Sequence, residues 1–552
     1  MFKGHPKGLF VAFFANMGER FGFYTMYAIF TLYIQAKFGY DAKTTGAIWS
    51  VFLFGVYFLP LIGGIIADRV LGYSKTINIG LVVLFIGYAL LFVPGTQLPV
   101  IITALATIAV GTGLFKGNLQ ALVGNMYDHP DYSKNRDSAF SIFYMGINVG
   151  AFFAPHAANA MNQMILTRYG FTYNQEIPAL AHKYLNGDMS VMVKLKELAL
   201  TQMPNMTDLK VFCDKYISAL SESYNYAFGL AAISMIISFL IFVIFKKYYA
   251  HNDITTDKNK TQAAKDAEVQ IPRKEFNQRI FALILVFVVV IFFWMSFHQN
   301  GLTITWFARD YTKSMISQEL YIFFNLWSVL SLSAAIIGLV LIFNTAKQSA
   351  KMIGGGLIVG GLAVTYYLYT TFAKTNQILP QDFQQFNPLY IVIFTPVVLS
   401  IFAALRKRNK EPKAPRKIAY GMLVTASAFI LLSIASMGLE APGVLAARGG
   451  VSTMLVNPMW LIIMYFILTI AELFLSPMGI SFVSKVAPPK YKGLMQGGWF
   501  AATSIGNLLV GVMAVFWDQV SLSVFWLILA LSCLVAAVFI FAVMKRLEAV
   551  AQ

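Results

Sequence analysis

Asn16, Glu19, Arg20, Phe23, Tyr24 and Tyr27 recur at i, i+3, i+4, i+7, i+8 and i+11, which places them on one face of a helix. The apolar run that carries them, Leu9 to Ile34, is long enough to cross a bilayer. Glu19 and Arg20 therefore sit at hydrocarbon depth. An ionisable group there costs about 2.5 kcal/mol or more unless it faces a partner or a wet cavity. A polar and aromatic stripe of this kind is suited to line a passage for a polar solute. The competing reading is an internal ion pair that only locks helices together, a costly way to gain stability.

Four further runs repeat the theme. Gly111-Thr-Gly113-Leu-Phe-Lys116-Gly117-Asn118 buries a lysine among glycines, so another backbone can approach while Lys116 requires an anionic partner or a substrate carboxylate. The alternative is that Lys116 snorkels to an interface. Glu472 and Ser476 share a face at i and i+4, and Pro477 removes a backbone hydrogen bond beside them. A lone carboxylate next to a helix break is suited to hold an ammonium group, or else to pair with Lys116. Tyr144-Met-Gly-Ile-Asn148 and Trp294-Met-Ser-Phe-His298-Gln299 offer Asn148 and Gln299 as helix-joining or ligand contacts. His298 is a candidate proton site, with a histidine satisfied by a backbone carbonyl as the bland alternative. Trp499 reads more as packing than as pocket lining.

The elements that hold these groups follow from composition. Of 552 residues, 58% are hydrophobic and only 12% charged, against about 25% charged in soluble domains. Apolar runs near 9–36, 45–67, 76–93, 98–124, 138–160, 224–246, 280–307, 319–344, 350–373, 387–405, 417–437, 457–484, 493–517 and 521–545 predict an all-α polytopic membrane protein of about 14 spans. The net charge of +17 lies in short loops such as Arg406 to Lys417, while the loops Pro94 to Pro99 and Thr375 to Phe386 carry almost none. That alternation speaks for a lipid bilayer partner and against nucleic acid, with both termini in the cytoplasm. Cys213 and Cys533 fall at different expected depths, and no spacing forms a metal site.

Two hydrophilic stretches interrupt the pattern. The predicted organisation is a first six-helix bundle over 1–246 with an outward insertion at 161–222, a cytoplasmic linker at 247–279, and a second bundle over 280–552 with two additional helices near 319–373. Two bundles joined by a central linker are the layout of a secondary transporter.

At this point the chain resembles the proton-dependent oligopeptide transporter family, a branch of the major facilitator fold. The pieces are Glu19-Arg20-Phe21, Gly63-Gly64-x-x-Ala67-Asp68, Gly113-x-x-Lys116, Phe143-Tyr144-x-x-Ile147-Asn148-x-Gly150 and Phe293-Trp294-x-x-Phe297-x-Gln299. Asn387-Pro388, Glu472-x-x-x-Ser476-Pro477-x-Gly479 and Trp499-Phe500 complete the set, in family order. The resemblance implies proton-driven import of di- and tripeptides by alternating access, with no cofactor beyond the proton gradient. It implies that Glu472, Asn148 and Asn387 bind the peptide amino terminus and that Lys116 attracts its carboxylate. Tyr24, Tyr57, Trp294 and Trp499 would shape side-chain pockets, Tyr27 and Ser476 complete the substrate-binding candidates, and Glu19, Arg20, His298 and Glu472 are the proton-coupling candidates.

Three positions depart from the family pattern. Asn16 replaces a glutamate, Tyr27 an arginine, and His298 an acidic residue. The expected coupling then runs through Glu19, His298 or Glu472, or is weakened. The additional helix pair also follows the Phe293-Trp294 motif, whereas bacterial members place it before the seventh helix. The expected protein is a monomer in a bacterial inner membrane. The alternatives are an exchanger of another small zwitterion or anion and, more remotely, a membrane enzyme or sensor using His182, Asp188 and Cys213 of the outer segment.

Overall fold

The computed structural model describes residues 4–128, 130–133, 135–253, 272–344, 347–488 and 492–550. Most of the predicted linker therefore lies outside the described residues, as does part of the basic loop from Lys485 to Lys492. Among the described residues, thirteen helices are long and apolar enough to cross a membrane. Lys7–Phe38, with 32 residues, adds a fourteenth of matching length, interrupted by the predicted charges. In chain order they are α1 (Lys7–Phe38), α2 (Ala42–Ile66), α3 (Tyr73–Phe92), α4 (Leu98–Met126), α5 (Arg136–Arg168), α6 (Leu209–Ile244) and α7 (Arg273–Phe297). Then come α8 (Leu326–Asn344), α9 (Gln348–Thr371), α10 (Phe386–Lys407), α11 (Ala414–Ala435), α12 (Met459–Val486), α13 (Lys492–Trp517) and α14 (Leu522–Ala542).

Local chemistry sets their ends. α1 stops at Gly39, whose φ of 65° suits a residue without a Cβ, and its N–H bonds the Gln35 carbonyl. Asp41 then caps α2 by accepting from the Thr44 N–H at 2.8 Å. Glycines let helices close up: a Cβ at Gly63 of α2 would overlap the Gly113 carbonyl of α4, and one at Gly150 of α5 would meet the Met17 carbonyl of α1.

With α8 and α9 set aside, the packing repeats. α1 packs on α5, α2 on α4, and α3 on α4 and α6; correspondingly α7 packs on α13, α10 on α12, and α11 on α12 and α14. The halves meet through α2 against α13 and, less extensively, α5 against α10. That duplicated pattern is the internal repeat of a transporter fold.

The additional pair is an excursion between the first two helices of the second half. Strand β1 (Met315–Ser317) pairs antiparallel with β2 (Thr375–Gln377), closing the base of the α8–α9 hairpin so that the chain re-enters α10 where it left α7. A ribbon can be inserted there without moving either neighbour, which accounts physically for a pair that follows the Phe293-Trp294 motif. The hairpin holds itself together by the close approach of Gly338 and Gly354 and by Ser331 Oγ against Thr365 Oγ1 at 2.7 Å.

The polar segment between α5 and α6 carries short helices, and the two spans reach further into it than expected. α5 continues to Arg168 and α6 begins at Leu209, fifteen residues before the expected 224, with Ile177–Leu185 and Met192–Gln202 between them. Phe171 packs edge-on against Phe212 and tilted against Tyr216, and the His182 ring bonds the Ala36 carbonyl at 2.8 Å at the end of α1.

A central site between the two halves

Glu19 and Arg20 are buried on α1 and pair with each other at 2.5 Å. Arg20 also lies 4.6 Å over the Phe23 ring. Across from them on α4, Lys116 makes no ion pair among the described residues; its ammonium sits 4.2 Å over the Tyr57 ring. Lys116 is therefore not paired with Glu472, and it does not snorkel. It is a cation held on an aromatic face, near enough to Arg20 and Glu19 to feel both.

The acidic counterpart comes from the second half. Glu472 Oε2 accepts from Asn387 Nδ2 at 2.9 Å, and Asn387 also donates to Thr469 Oγ1 at 3.0 Å. Glu472 is 7% exposed and has no cationic partner among the described residues. Pro477, one turn on, leaves the Leu473 carbonyl without its helical donor. Ser476 Oγ and Trp294 Nε1 also lack partners among the described residues. The arrangement lacks one hydrogen-bonding cation at Glu472.

The aromatic residues bridge the two sides. Tyr24 and Tyr57 lie within electrostatic reach of both Arg20 and Glu472. Tyr144 on α5 interacts with Glu472, Tyr24 and Tyr57 while remaining 41% exposed. A tyrosine within electrostatic reach of both halves and still 41% exposed marks an accessible space between them. Asn148, one turn along from Tyr144, donates to the Tyr144 carbonyl at 3.1 Å.

Not every expected residue joins this space. Tyr27 is buried and donates to Asn300 Oδ1 across the halves, so it works as a bridge. Trp499 is buried with the six-membered ring of its indole against Gly479. Gln299 is satisfied within its own helix, donating to the Met295 carbonyl at 3.2 Å and accepting from Thr303 at 2.7 Å. His298 stacks on Trp294, bonds Asn507 through Nδ1, and lies 3.5 Å from the Tyr57 hydroxyl through Nε2. Its partners are side chains of neutral residues, not the backbone carbonyl of the bland alternative.

Sequence reasoning passed over the seal at one end of this space. Toward the face that bears the helices between α5 and α6, Arg309 donates to Gln35 at 2.6 Å, Thr31 to the Gly301 carbonyl at 3.2 Å, and Gln377 to the Tyr173 carbonyl at 2.9 Å. There too His156 bonds Gln385 at 2.8 Å, and Asn159 joins Asp382. Among the described residues, the hydrogen bonds between the halves gather from mid-depth to this face. The segment Thr375 to Phe386 reads as a loop by its polarity; in the structure Pro380–Gln385 is a buried turn wedged between the halves. Its density of amides, Gln381, Gln384 and Gln385 around Asp382, was the available signal.

His182, Asp188 and Cys213 do not form a catalytic set. His182 serves the end of α1, Asp188 caps Ser190, and Cys213 is buried in α6. No metal-holding cluster occurs among the described residues.

A duplicated helical bundle around a polar inter-half space defines a membrane transporter of the major facilitator architecture, not an enzyme. The chain belongs to the POT family, whose model matches residues 74–274 and 362–530. Among its relatives are the "Uncharacterized transporter YclF" of Bacillus subtilis, 27% identical over 94% of this chain and 89% of the relative. "Dipeptide and tripeptide permease A" of Escherichia coli is 26% identical over 92% of this chain and 84% of the relative. A crystal structure of a mutant peptide transporter POT in complex with alafosfalin superposes with a TM-score of 0.68 at 24% identity, covering 100% of this chain and 96% of that one. A POT family transporter in complex with 5-aminolevulinic acid gives 0.68 at 20% identity, covering 99% and 98%.

Proposed function

We propose that this protein imports di- and tripeptides across a bacterial inner membrane, with both termini cytoplasmic, by alternating access driven by the proton gradient. The observation that carries the reading is the uncompensated Glu472–Asn387 pair facing the Lys116 and Arg20 cations across the inter-half space. A carboxylate and an ammonium separated across the space between the halves complement the two ends of a zwitterion, and buried partners left unpaired penalise ligands lacking either end. The names of the relatives supply the peptide class. Glu472 would hold the peptide ammonium beside Asn387, Lys116 would draw its carboxylate, and Tyr24, Tyr57 and Trp294 would bound the side chains.

Proton coupling would pass through Glu472, which cannot hold an ammonium once protonated, with Glu19–Arg20 as the adjoining charged pair. Uptake of labelled dialanine into proteoliposomes tests the whole reading: accumulation with an inward proton gradient and counterflow without one are expected. Absence of both refutes peptide transport. Counterflow without gradient-driven accumulation favours the second reading, a weakly coupled exchanger, which the neutral partners of His298 and the amide at Asn16 support.

A further inference from the structure

The sealed end of the molecule contains a buried carboxylate that neither the peptide site nor an ion pair uses. Asp382 lies in the Pro380–Gln385 turn and is 7% exposed. It accepts from Asn159 Nδ2 of α5, on the other half, and from the Leu379 N–H at 2.7 Å. Gln381 Nε2 completes the junction by donating to Asn159 Oδ1 at 2.6 Å. Every one of these donors is neutral, and no cation pairs with Asp382 among the described residues.

The titratable groups on the surrounding elements do not supply the missing charge. On α5, His156 is bonded to Gln385. Arg309 is committed to Asp310 and Gln35, and on α1 Arg20 is committed to Glu19. Tyr390 follows on α10. Tyr321, beside the base of the hairpin, has its hydroxyl pushed up by burial first and by Asp382 second.

We propose that Asp382 is a proton-operated latch: it takes up a proton as this face closes over it and releases that proton to the same side as the face opens. An ionised carboxylate enclosed among neutral groups costs several-fold more than a hydrogen-bonded acid, and amide donors offset only part of that cost. Separating α5 from the turn breaks the Asn159 contact and lets water reach the carboxylate. Closure and protonation are then linked, as any two events are when one changes the free energy of the other. Because the proton enters and leaves at one face, this site sets when that face opens and adds nothing to the protons carried with each peptide. The inference rests on the alternating-access reading but not on the identity of the substrate.

The test is a distance measurement between spin labels on Val211→Cys and Met437→Cys, exposed positions of opposite halves on this face; the native cysteines are both buried. In nanodiscs without substrate, the open population should grow from pH 5 to pH 8. Asp382→Asn, a permanent mimic of the neutral acid, should lose that growth and stay closed, and Asp382→Glu should restore it. Asn159→Ala keeps the carboxylate and should keep a pH response displaced toward the open state, which preserves the test should Asp382→Asn fold poorly. A pH response unchanged in Asp382→Asn, or a wild type with none, overturns the latch. Dialanine counterflow run alongside separates the two claims: pH-dependent opening without counterflow leaves the latch standing and removes the peptide reading.

Discussion

Replacing Glu472 by glutamine probes the ammonium site with almost no change in shape. In the wild type one carboxylate oxygen accepts from Asn387 Nδ2 at 2.9 Å, leaving the rest of the carboxylate to a ligand cation. Glutamine must choose. With its oxygen toward Asn387 it aims an NH2 at the ligand ammonium, donor against donor. With its oxygen toward the ligand, two amide NH2 groups face each other inside the site. Either way one contact is lost and the charge assistance disappears, which is worth about 1.5–3 kcal/mol. At 1.4 kcal/mol per tenfold, dialanine should bind roughly 10–100 times more weakly. The assay is competition binding of dialanine and N-acetyl-dialanine to purified protein. Wild type should discriminate strongly between them, and Glu472→Gln should bind both alike. Retention of the preference, with dialanine affinity within about threefold of wild type, would refute the assignment.

Lys116→Met, which removes the cation over Tyr57, should weaken peptides with a free carboxylate about tenfold while leaving amidated peptides unchanged; the same competition assay checks it. Gly63→Ala forces a methyl group against the Gly113 carbonyl and should cost about 1–3 kcal/mol, read as a lower melting temperature in detergent with α2 displaced from α4. Glu411, in the loop after α10, is held down to about 2 by its hydrogen bond from Arg406, with Lys417 assisting at 2.6 Å. A carboxyl so depressed from its ordinary 4.5 contributes stability that is full above that value and fades as pH falls through about 2. Thermal unfolding of Glu411→Gln should accordingly lie below wild type at pH 6, with the gap closing on acidification below pH 4.5.

The one-dimensional pattern was sufficient for the number of long helices, their order and the polar stripe on α1, because bilayer thickness fixes span length and the helical repeat fixes which residues share a face. It also marked Glu472, Lys116 and Arg20, since a charge within an apolar run is conspicuous whatever it contacts, while Asn387 was marked only by the family resemblance. What such a pattern cannot express is the pairing of groups far apart in the chain. Glu472 with Asn387 rather than Lys116, Tyr27 with Asn300, and His298 with Asn507 were each decided by which helix faces meet. Asp382 shows the limit most clearly. Its polar neighbourhood reads locally as a solvated loop, and only the wedge of that turn between α5 and its surroundings turns a surface carboxylate into a buried one. The ribbon that closes the base of the α8–α9 hairpin had the same origin, because three-residue strands carry too little pattern to be read and depend on each other to exist. The sequence by itself determined a membrane-spanning bundle with charges at depth; tertiary packing alone decided which charges remain free to meet a ligand, because burial and pairing are properties of faces in contact and not of any single segment.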